Sequence, residues 1–485
     1  MSTETLLALD VGTSGCRAEL FALDGRSLGR CYREYGIQTP IAGAAEQDPE
    51  QWWQAVVACA SGARAECPDT RAIAIGLSVQ GHTWVPVDAA GRALRPAMTW
   101  LDARAAGQAR RLLEERGAAF WGALAGKLPG PWHLLSQWLW LRETEPATAR
   151  KTARCLFCHD WLMEHLTGCA VTDSTHAATS LLYDIRAWAW SDLAPEYGLP
   201  DGALSPVAPA GSIGGRVGDP GVAAALGVEV GAVAAVGAQD QKCAALAAGL
   251  DETTATVSMG TAIAIEAPVS EPRFDPELGA IPCFPWLERG RWVLEAPMTS
   301  GGGAFRWLRD ILAETEATSF SRLIAEAEAV PPGAEGVCFL PYLAGSGAPY
   351  WQSDATAAFN GMTLRTGRGH LTRAVLEGVA SDIRANVDCM HDLGCPIERL
   401  RLFGGGVRSD LWPRIIAAAC AVPTEVCAEA EAATRGAAML AAKAIGADPE
   451  VFALQARLVT VPEAWAEAYA GVLAEYAALR QRLWR

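Results

Sequence analysis

Several short polar segments carry side chains able to do chemistry. Asp10-Val11-Gly12-Thr13-Ser14-Gly15 follows the apolar run Leu6-Leu7-Ala8-Leu9. Small residues leave the backbone N–H groups of such a tip unblocked, and two hydroxyls stand beside them. A concave nest of this kind binds phosphate, and a carboxylate at the strand end can hold Mg2+ directly or through water. The same composition also makes an ordinary turn. Ser258-Met259-Gly260-Thr261 repeats the arrangement in the second half. Two such tips facing each other across a cleft are far more specific than one. Phe403-Gly404-Gly405-Gly406-Val407 ends a strand before a helix, and Gly301-Gly302-Gly303 opens another helix. Glycines there let a flat ligand lie against the backbone, and a helix start favours negative charge. Each run alone serves equally well as a tight connection.

Asp240, between Gln239 and Gln241, opens a helix at the carboxyl end of a strand. A carboxylate in that place is either a general base or an N-cap. Gln80-Gly81-His82 follows a buried strand, and Trp100, Asp102 and Arg104 form a second polar group. Amide, imidazole, aromatic and carboxylate groups together are typical of sugar binding, although any one alone is ordinary surface decoration.

These residues depend on the elements that carry them. Leu6–Leu9 and Cys16–Ala22 read as a β-hairpin, with a turn at Asp24-Gly25. Asp48 caps a helix that starts at Pro49 and runs to about residue 65. Ala72–Ser78 is a buried strand, Val85–Asp88 a strand and turn, and helices follow around 103–116 and 133–143. Pro195–Gly231 is rich in Pro and Gly and low in pattern; a strand at Ala232–Gly237 and an Ala-rich helix to about Leu250 come next. Thr254–Met259 and Ala262–Ala267 make a second hairpin around the second tip. A strand at Leu400–Phe403 and helices near 410–420, 433–445 and 462–484 complete the chain. Two halves that each open with strand, polar tip and strand point to a duplicated architecture with a cleft between them.

Composition narrows the choice of partners. The 485 residues carry 40 basic and 55 acidic side chains, a formal charge of −15, and no Lys/Arg-rich run. That is a poor match for nucleic acid or an anionic membrane. With 51% hydrophobic residues the chain is far too apolar for disorder. No basic n-region precedes the first apolar run and no stretch reaches about 18 uncharged apolar residues, so the chain reads as cytoplasmic. The 14 cysteines are scattered and read as small buried hydrophobes. Cys155-Leu156-Phe157-Cys158-His159 matches a c-type haem attachment pattern, but it opens an apolar helical run and reads as structural. No P-loop is present, since Gly122 to Lys127 has the wrong spacing, and no GxGxxG follows the first strand. HExxH and GxSxG are absent too, against the common metalloprotease, hydrolase and dehydrogenase readings.

Taken in order, Asp10-Val-Gly-Thr-Ser, Gly-Ala-Gln-Asp-Gln around Asp240, Met-Gly-Thr at 259–261 and Phe-Gly-Gly-Gly-Val-Arg-Ser at 403–409 resemble the FGGY family of carbohydrate kinases. The resemblance spans Leu6 to about Gly446 and, within the family, is strongest to the xylulose kinases. It implies an α/β protein of two ribonuclease-H-like (actin/hexokinase-type ATPase) domains around a central cleft, 1–249 and 250–485. It implies Asp240 as catalytic base and Asp10 as the residue that orders Mg2+. Thr13, Ser14, Gly260 and Thr261 would face the ATP phosphates, and Gly302, Gly405, Gly406 and Ser409 would line the nucleotide site. Gln80, Gly81, His82, Trp100, Asp102 and Arg104 fall in the sugar-facing region.

The expected reaction is ATP-dependent phosphorylation of a sugar hydroxyl, D-xylulose to D-xylulose 5-phosphate first, with ATP and Mg2+. Ribulose, fuculose, erythritol, gluconate and glycerol are alternative acceptors, and an actin-like or heat-shock-chaperone-like ATPase module is a reading from another class. A homodimer is the common assembly of such kinases. Three positions depart from the xylulose kinase pattern. Gly81 replaces a Met, the base sits in Gln-Asp-Gln, and Arg435 stands where a small or apolar residue usually precedes Gly436. Arg435 is read as touching the nucleotide or as solvated.

Overall fold

The first strand, β1 (Thr3–Val11), returns through the polar tip into β2 (Gly15–Ala22), and a third antiparallel strand, β3 (Ser27–Glu34), follows the Asp24-Gly25 turn. The computed structural model describes residues 3–278, 280–312, 319–428 and 431–484. α1 (Pro49–Ala65) begins as its sequence dictates: the Asp48 side chain accepts from the Glu50 N–H and Pro49 fills the first turn. β4 (Thr70–Val79) then pairs parallel with β1. Helix α4 (Cys158–Thr167) packs on this sheet through Trp161, Leu162 and Met163, which share a core with Leu9 and Leu77, whereas α2 (Ala106–Ala125) and α3 (Leu134–Thr144) share a separate core with Trp84 and Phe157.

The Pro- and Gly-rich stretch 195–231 is more ordered than its sequence suggests. It holds β5 (Ile213–Arg216), a short helix at Pro220–Leu226 and the start of β6 (Val228–Ala235). Asp219 caps the helix and Gly227 ends it in the left-handed conformation, so Pro and Gly punctuate elements here instead of replacing them. β5 and β6 extend the sheet, and β7 (Ala238–Gln239) adds to the end of β4. The strand order is β5-β6-β4-β1-β2-β3.

The second half repeats the plan. β8 (Thr254–Met259), β9 (Ile263–Val269), β10 (Cys283–Pro285) and β11 (Trp292–Met298) are antiparallel neighbours. After α6 (Gly302–Leu312), β12 (Arg399–Phe403) pairs parallel with β8 as β4 does with β1. β13 (Thr424–Cys427) and β14 (Ala456–Leu458) complete the order β10-β11-β9-β8-β12-β13-β14. Hairpin strands on one side and parallel strands on the other recur in both sheets, which is the expected duplication.

Two helices lie between the sheets. α5 (Asp240–Ala247) follows β7, and α8 (Ala432–Ile445) follows α7 (Leu411–Cys420) and β13. Although α8 belongs to the second half of the chain, it packs on the first sheet. Ala437, Ala438, Met439, Ala441 and Ala442 share a core with Leu6, Ala8, Phe21 and Ala74. Small residues make that approach possible: a Cβ on Gly76 of β4 would overlap the Ala437 carbonyl. The final helix, α9 (Glu463–Leu483), docks through Tyr469 on Glu377 and Arg373, and through Tyr476 on Asp382. Among the described residues no helix is long and apolar enough to cross a membrane.

Candidate active site

The parallel strands β1, β4 and β7 end at one edge, where Asp10 pairs in register with Ser78 and Ser78 with Ala238. Ligands of open α/β sheets collect at such carboxyl edges. The Ser78 hydroxyl donates to Asp10 Oδ1 at 2.8 Å. Burial nevertheless pushes the Asp10 carboxyl up to about 6. Asp240, two residues beyond Ala238, opens α5, and the Gln241 N–H donates to its Oδ1 at 2.8 Å. Burial first, then the charge of Asp10, push the Asp240 carboxyl up to about 7. Both carboxyls are thus raised by burial, and the charge of Asp10 reaches Asp240.

Asp240 is held from behind. Gln239 N–H donates to Thr175 Oγ1 at 3.1 Å, and Gln239 Nε2 donates to the Thr175 carbonyl at 2.8 Å. Gly237 N–H donates to His159 Nε2 at 2.9 Å. His159 of the Cys-x-x-Cys-His segment is therefore structural, and Cys155 and Cys158 are free, buried thiols.

The first tip is braced by its own chain and by residues far along it. Gly12 N–H donates to the Gly15 carbonyl, and Tyr35 Oη donates to the Gly12 carbonyl at 2.5 Å. Gln47 Nε2 donates to the Thr13 carbonyl at 2.7 Å, while Gln47 Oε1 accepts from Gln80 Nε2 at 2.8 Å. Trp100, 42% exposed, donates through Nε1 to Thr13 Oγ1 at 2.7 Å. Ser14 is exposed at the tip. Thr13, Gln80 and Trp100 thus meet in one network.

Asp102 and Arg104 are engaged elsewhere. Asp102 is fully buried and accepts from the Ala45 N–H at 3.0 Å. Its carboxylate also pairs with Arg104, whose guanidinium reaches Glu46 at 2.6 Å and lies over the Trp140 ring. This ion-pair group fixes the 44–47 segment, and with it Gln47.

His82 sits beyond Gly81 with φ 53°, among the His133 and Phe284 rings at 5.1 and 6.3 Å. Burial drives its imidazole well below the ordinary range. A Cβ on Gly81 would come to 3.1 Å from Gln239, so a larger residue there needs that side chain to give way.

The second tip assembles from three glycine runs. Gly302 N–H donates to the Gly260 carbonyl at 2.8 Å, and Gly301 and Gly303 N–H groups donate to the Thr261 carbonyl. Gly406 packs on Met259, where a Cβ would stand 2.9 Å from the Met259 Cβ. Gly404, at φ 96°, turns the chain away from β12. Gly405 is exposed and Ser409 half-buried at the start of α7. Gly260, Thr261, Gly302, Gly405 and Gly406 therefore form one glycine-lined surface. Arg435, half-buried, is directed to the Gly25 and Phe452 carbonyls and lies over the Phe21 ring.

Sequence reasoning passed over several residues. Ser78 lies one residue before the end of β4, which runs two residues further back and one further on than the expected Ala72–Ser78, and its partner depends on β1–β4 register. Lys242 stands on the buried face of an Ala-rich helix, and a lone Lys in an apolar pattern was the available signal. It bridges Glu266, at 2.8 Å, and Glu295, which face each other across β9 and β11. Those carboxylates hold Lys242 above its ordinary value although burial opposes this.

Two family models match this chain: the FGGY family of carbohydrate kinases, N-terminal domain, over residues 5–247, and the C-terminal domain of the same family over 255–445. A gluconokinase of Bacillus licheniformis is 29% identical over 429 residues, 86% of this chain and 82% of that protein. A xylulose kinase of Escherichia coli K12 is 31% identical over 415 residues, 85% of this chain and 84% of that protein. The crystal structure of a "xyloylose kinase" from Brucella ovis superposes with a TM-score of 0.91 at 30% identity, covering 99% of both chains. With the duplicated sheets and the paired tips, these matches give the fold as the actin/hexokinase-type ATPase fold. The chain belongs to the FGGY family of carbohydrate kinases, which transfer a phosphoryl group to a sugar hydroxyl.

Proposed function

We propose that the protein is an ATP-dependent pentulose kinase that converts D-xylulose to D-xylulose 5-phosphate, with Asp240 as general base. The carrying observation is the Asp240 carboxyl, pushed to about 7 beside Asp10 at the carboxyl edge of the first sheet. A base titrating there can take a hydroxyl proton near neutral pH and still drive the transfer.

In this reading residues 1–249 bind the sugar and residues 250–485 bind the nucleotide. Gln80, Gly81 and His82, with Trp100, line the acceptor side, while Asp102 and Arg104 set the segment that carries Gln47. Asp240 accepts the proton of the attacking hydroxyl and orients its oxygen. N–H groups and hydroxyls of Thr13, Ser14, Gly260 and Thr261 meet the charge of the phosphates as it shifts. Gly302, Gly405, Gly406 and Ser409 provide the nucleotide surface.

Mg2+ fits the donor set. Among the described residues no three His, Cys, Asp or Glu side chains converge into a protein cage, and Asp10 offers a carboxylate with one hydroxyl donor beside Asp240. One or two carboxylates with substrate phosphates are the usual surroundings of this ion. When bound it supplies charge neutralisation at the phosphates, and Asp10 is the residue that would hold it.

The identity to the Escherichia coli xylulose kinase and the Brucella ovis structure support D-xylulose as acceptor. ADP release by the full chain with Mg-ATP is the test, against D-xylulose, D-ribulose, L-fuculose, erythritol, glycerol and D-gluconate. Strong stimulation by D-xylulose is expected. Stimulation by another acceptor alone moves the substrate and leaves the site roles standing. Steady hydrolysis that no acceptor stimulates overturns the kinase reading in favour of an ATPase module.

A further inference from the structure

Three irregularities meet around the Phe284 ring, next to His82. The first is Lys127, only 2% exposed, which follows the left-handed Gly126 at the end of α2. Its Nζ donates to the Ala178 carbonyl at 3.0 Å and lies 3.3 Å from the centre of the Phe284 ring. Among the described residues no carboxylate forms an ion pair with it. The charge of Glu295 reaches it, but that carboxylate is bonded to Lys242. Burial without a charged partner drives the Lys127 amine well below its ordinary value, and its N–H donors have one oxygen acceptor between them, the Ala178 carbonyl.

The second is His82 Nδ1, buried with no hydrogen-bond partner among the described residues. Third, the His82 backbone, at φ 53°, lies in the left-handed region. Strain of that kind in a residue other than glycine persists where the surroundings over-determine it, and it clusters at functional sites. The Phe284 ring ties the group together: it touches Lys127, stands 4.1 Å from Lys242 Nζ, two residues past Asp240, and 6.3 Å from the His82 ring.

We propose that Lys127 is a specificity-determining residue: together with His82 Nδ1 it donates to an sp2 oxygen of the acceptor, a ketone carbonyl or a carboxylate, and so selects ketoses and aldonates over polyols. This rests on the sugar-kinase reading above and narrows its substrate class. An sp2 oxygen only accepts hydrogen bonds, which is what Lys127 lacks. A polyol hydroxyl would bring one more proton to a wall already rich in donors. Sites built to hydrogen-bond one group reject the analogue without it, commonly by orders of magnitude.

The test measures acceptor binding by calorimetry and turnover by ADP release, on the full chain, with D-xylulose, D-gluconate and xylitol. Wild type is expected to bind D-xylulose or D-gluconate about 30-fold or more tightly than xylitol. A preference for D-xylulose assigns the contact to the carbonyl, and one for D-gluconate to the carboxylate. Lys127→Met should bring the preferred acceptor to within about 3-fold of xylitol, through KM more than kcat. Equal binding of xylitol by wild type overturns the proposal without any variant, as does discrimination retained in Lys127→Met, or no binding of either oxo acceptor. Discriminating binding without turnover upholds Lys127 and defeats the kinase reading; turnover without discrimination does the reverse.

Discussion

Gly436 of α8 lies so close to Cys243 of α5 that a Cβ on it would overlap the Cys243 carbonyl oxygen. Two opposing effects bear on Gly436→Ala. Helix propensity favours alanine by about 1 kcal/mol. Forcing a methyl into a packed backbone contact costs about 1–3 kcal/mol or more, and here no side chain can rotate away. The overlap wins, so Gly436→Ala should lower stability, seen as an earlier urea midpoint with unchanged slope. Because α5 starts at Asp240, kcat should fall beyond what the loss of folded protein explains. An unchanged midpoint would mean that α5 and α8 slide past each other freely.

The Asp240 carboxyl makes stability depend on pH in a defined direction. Its folded value, about 7, lies above the ordinary 3.8, so the folded state holds this proton more tightly than the unfolded chain. Between those values stability falls as pH rises, because ionisation is favoured in the unfolded state and resisted in the folded one. Asp240→Asn removes that penalty. In metal-free buffer the variant should melt above wild type at pH 8 and level with it near pH 4. Its phosphoryl transfer should be abolished while ATP binding persists, and full turnover would remove Asp240 from the role of base.

Lys242 stands between two carboxylates that β-sheet register sets directly opposite each other. Removing one partner of a buried ion group costs about 3–5 kcal/mol, because the remaining charges stay buried and unpaired. Lys242→Met should therefore be severely destabilised at pH 8. Burial already lifts Glu266 to about 8, and the loss of Lys242 can only raise it further. Protonation relieves the repulsion, so the deficit of Lys242→Met should shrink toward pH 5. Adding Glu266→Gln and Glu295→Gln should restore much of the stability at pH 8. Equal deficits at both pH values would show that packing, not charge, is what Lys242 supplies.

What could be read from sequence was local. Asp48-Pro49 marks the start of α1 because capping and a fixed φ act within one turn, and Thr254–Met259 was bounded by the glycine that follows it. Both tips were visible since a hairpin closes on its own neighbours. The packing of α8 on the first sheet was not visible: it joins Ala437 to Gly76 across most of the chain, and an Ala-rich helix face looks alike whichever sheet it covers. Asp102 and Arg104 were read as polar groups for a sugar, and their residue types fit that. Their burial depends on Glu46 and Ala45, more than fifty residues earlier, which no spacing along the chain reveals. Lys127 carried no periodic signal at all, since it follows the end of its helix.

The same Asp102 contacts give a prediction that separates a direct ligand from a brace. If Asp102 touches the sugar, Asp102→Asn raises KM for the acceptor and leaves KM for ATP unchanged. The hydrogen bonds argue for the other outcome. Asp102 fixes Ala45 and Arg104, Arg104 holds Glu46, and the adjoining Gln47 donates to the Thr13 carbonyl and accepts from Gln80. Asparagine keeps an acceptor for the Ala45 N–H but loses the charge that faces Arg104, a loss of about 1–3 kcal/mol. The 44–47 segment then loosens toward both substrates at once, because Thr13 belongs to the phosphate tip and Gln80 to the acceptor side. Asp102→Asn should raise KM for ATP and for the sugar together, each by several-fold, with kcat less affected. A rise confined to the acceptor would return Asp102 to the sugar's own contacts.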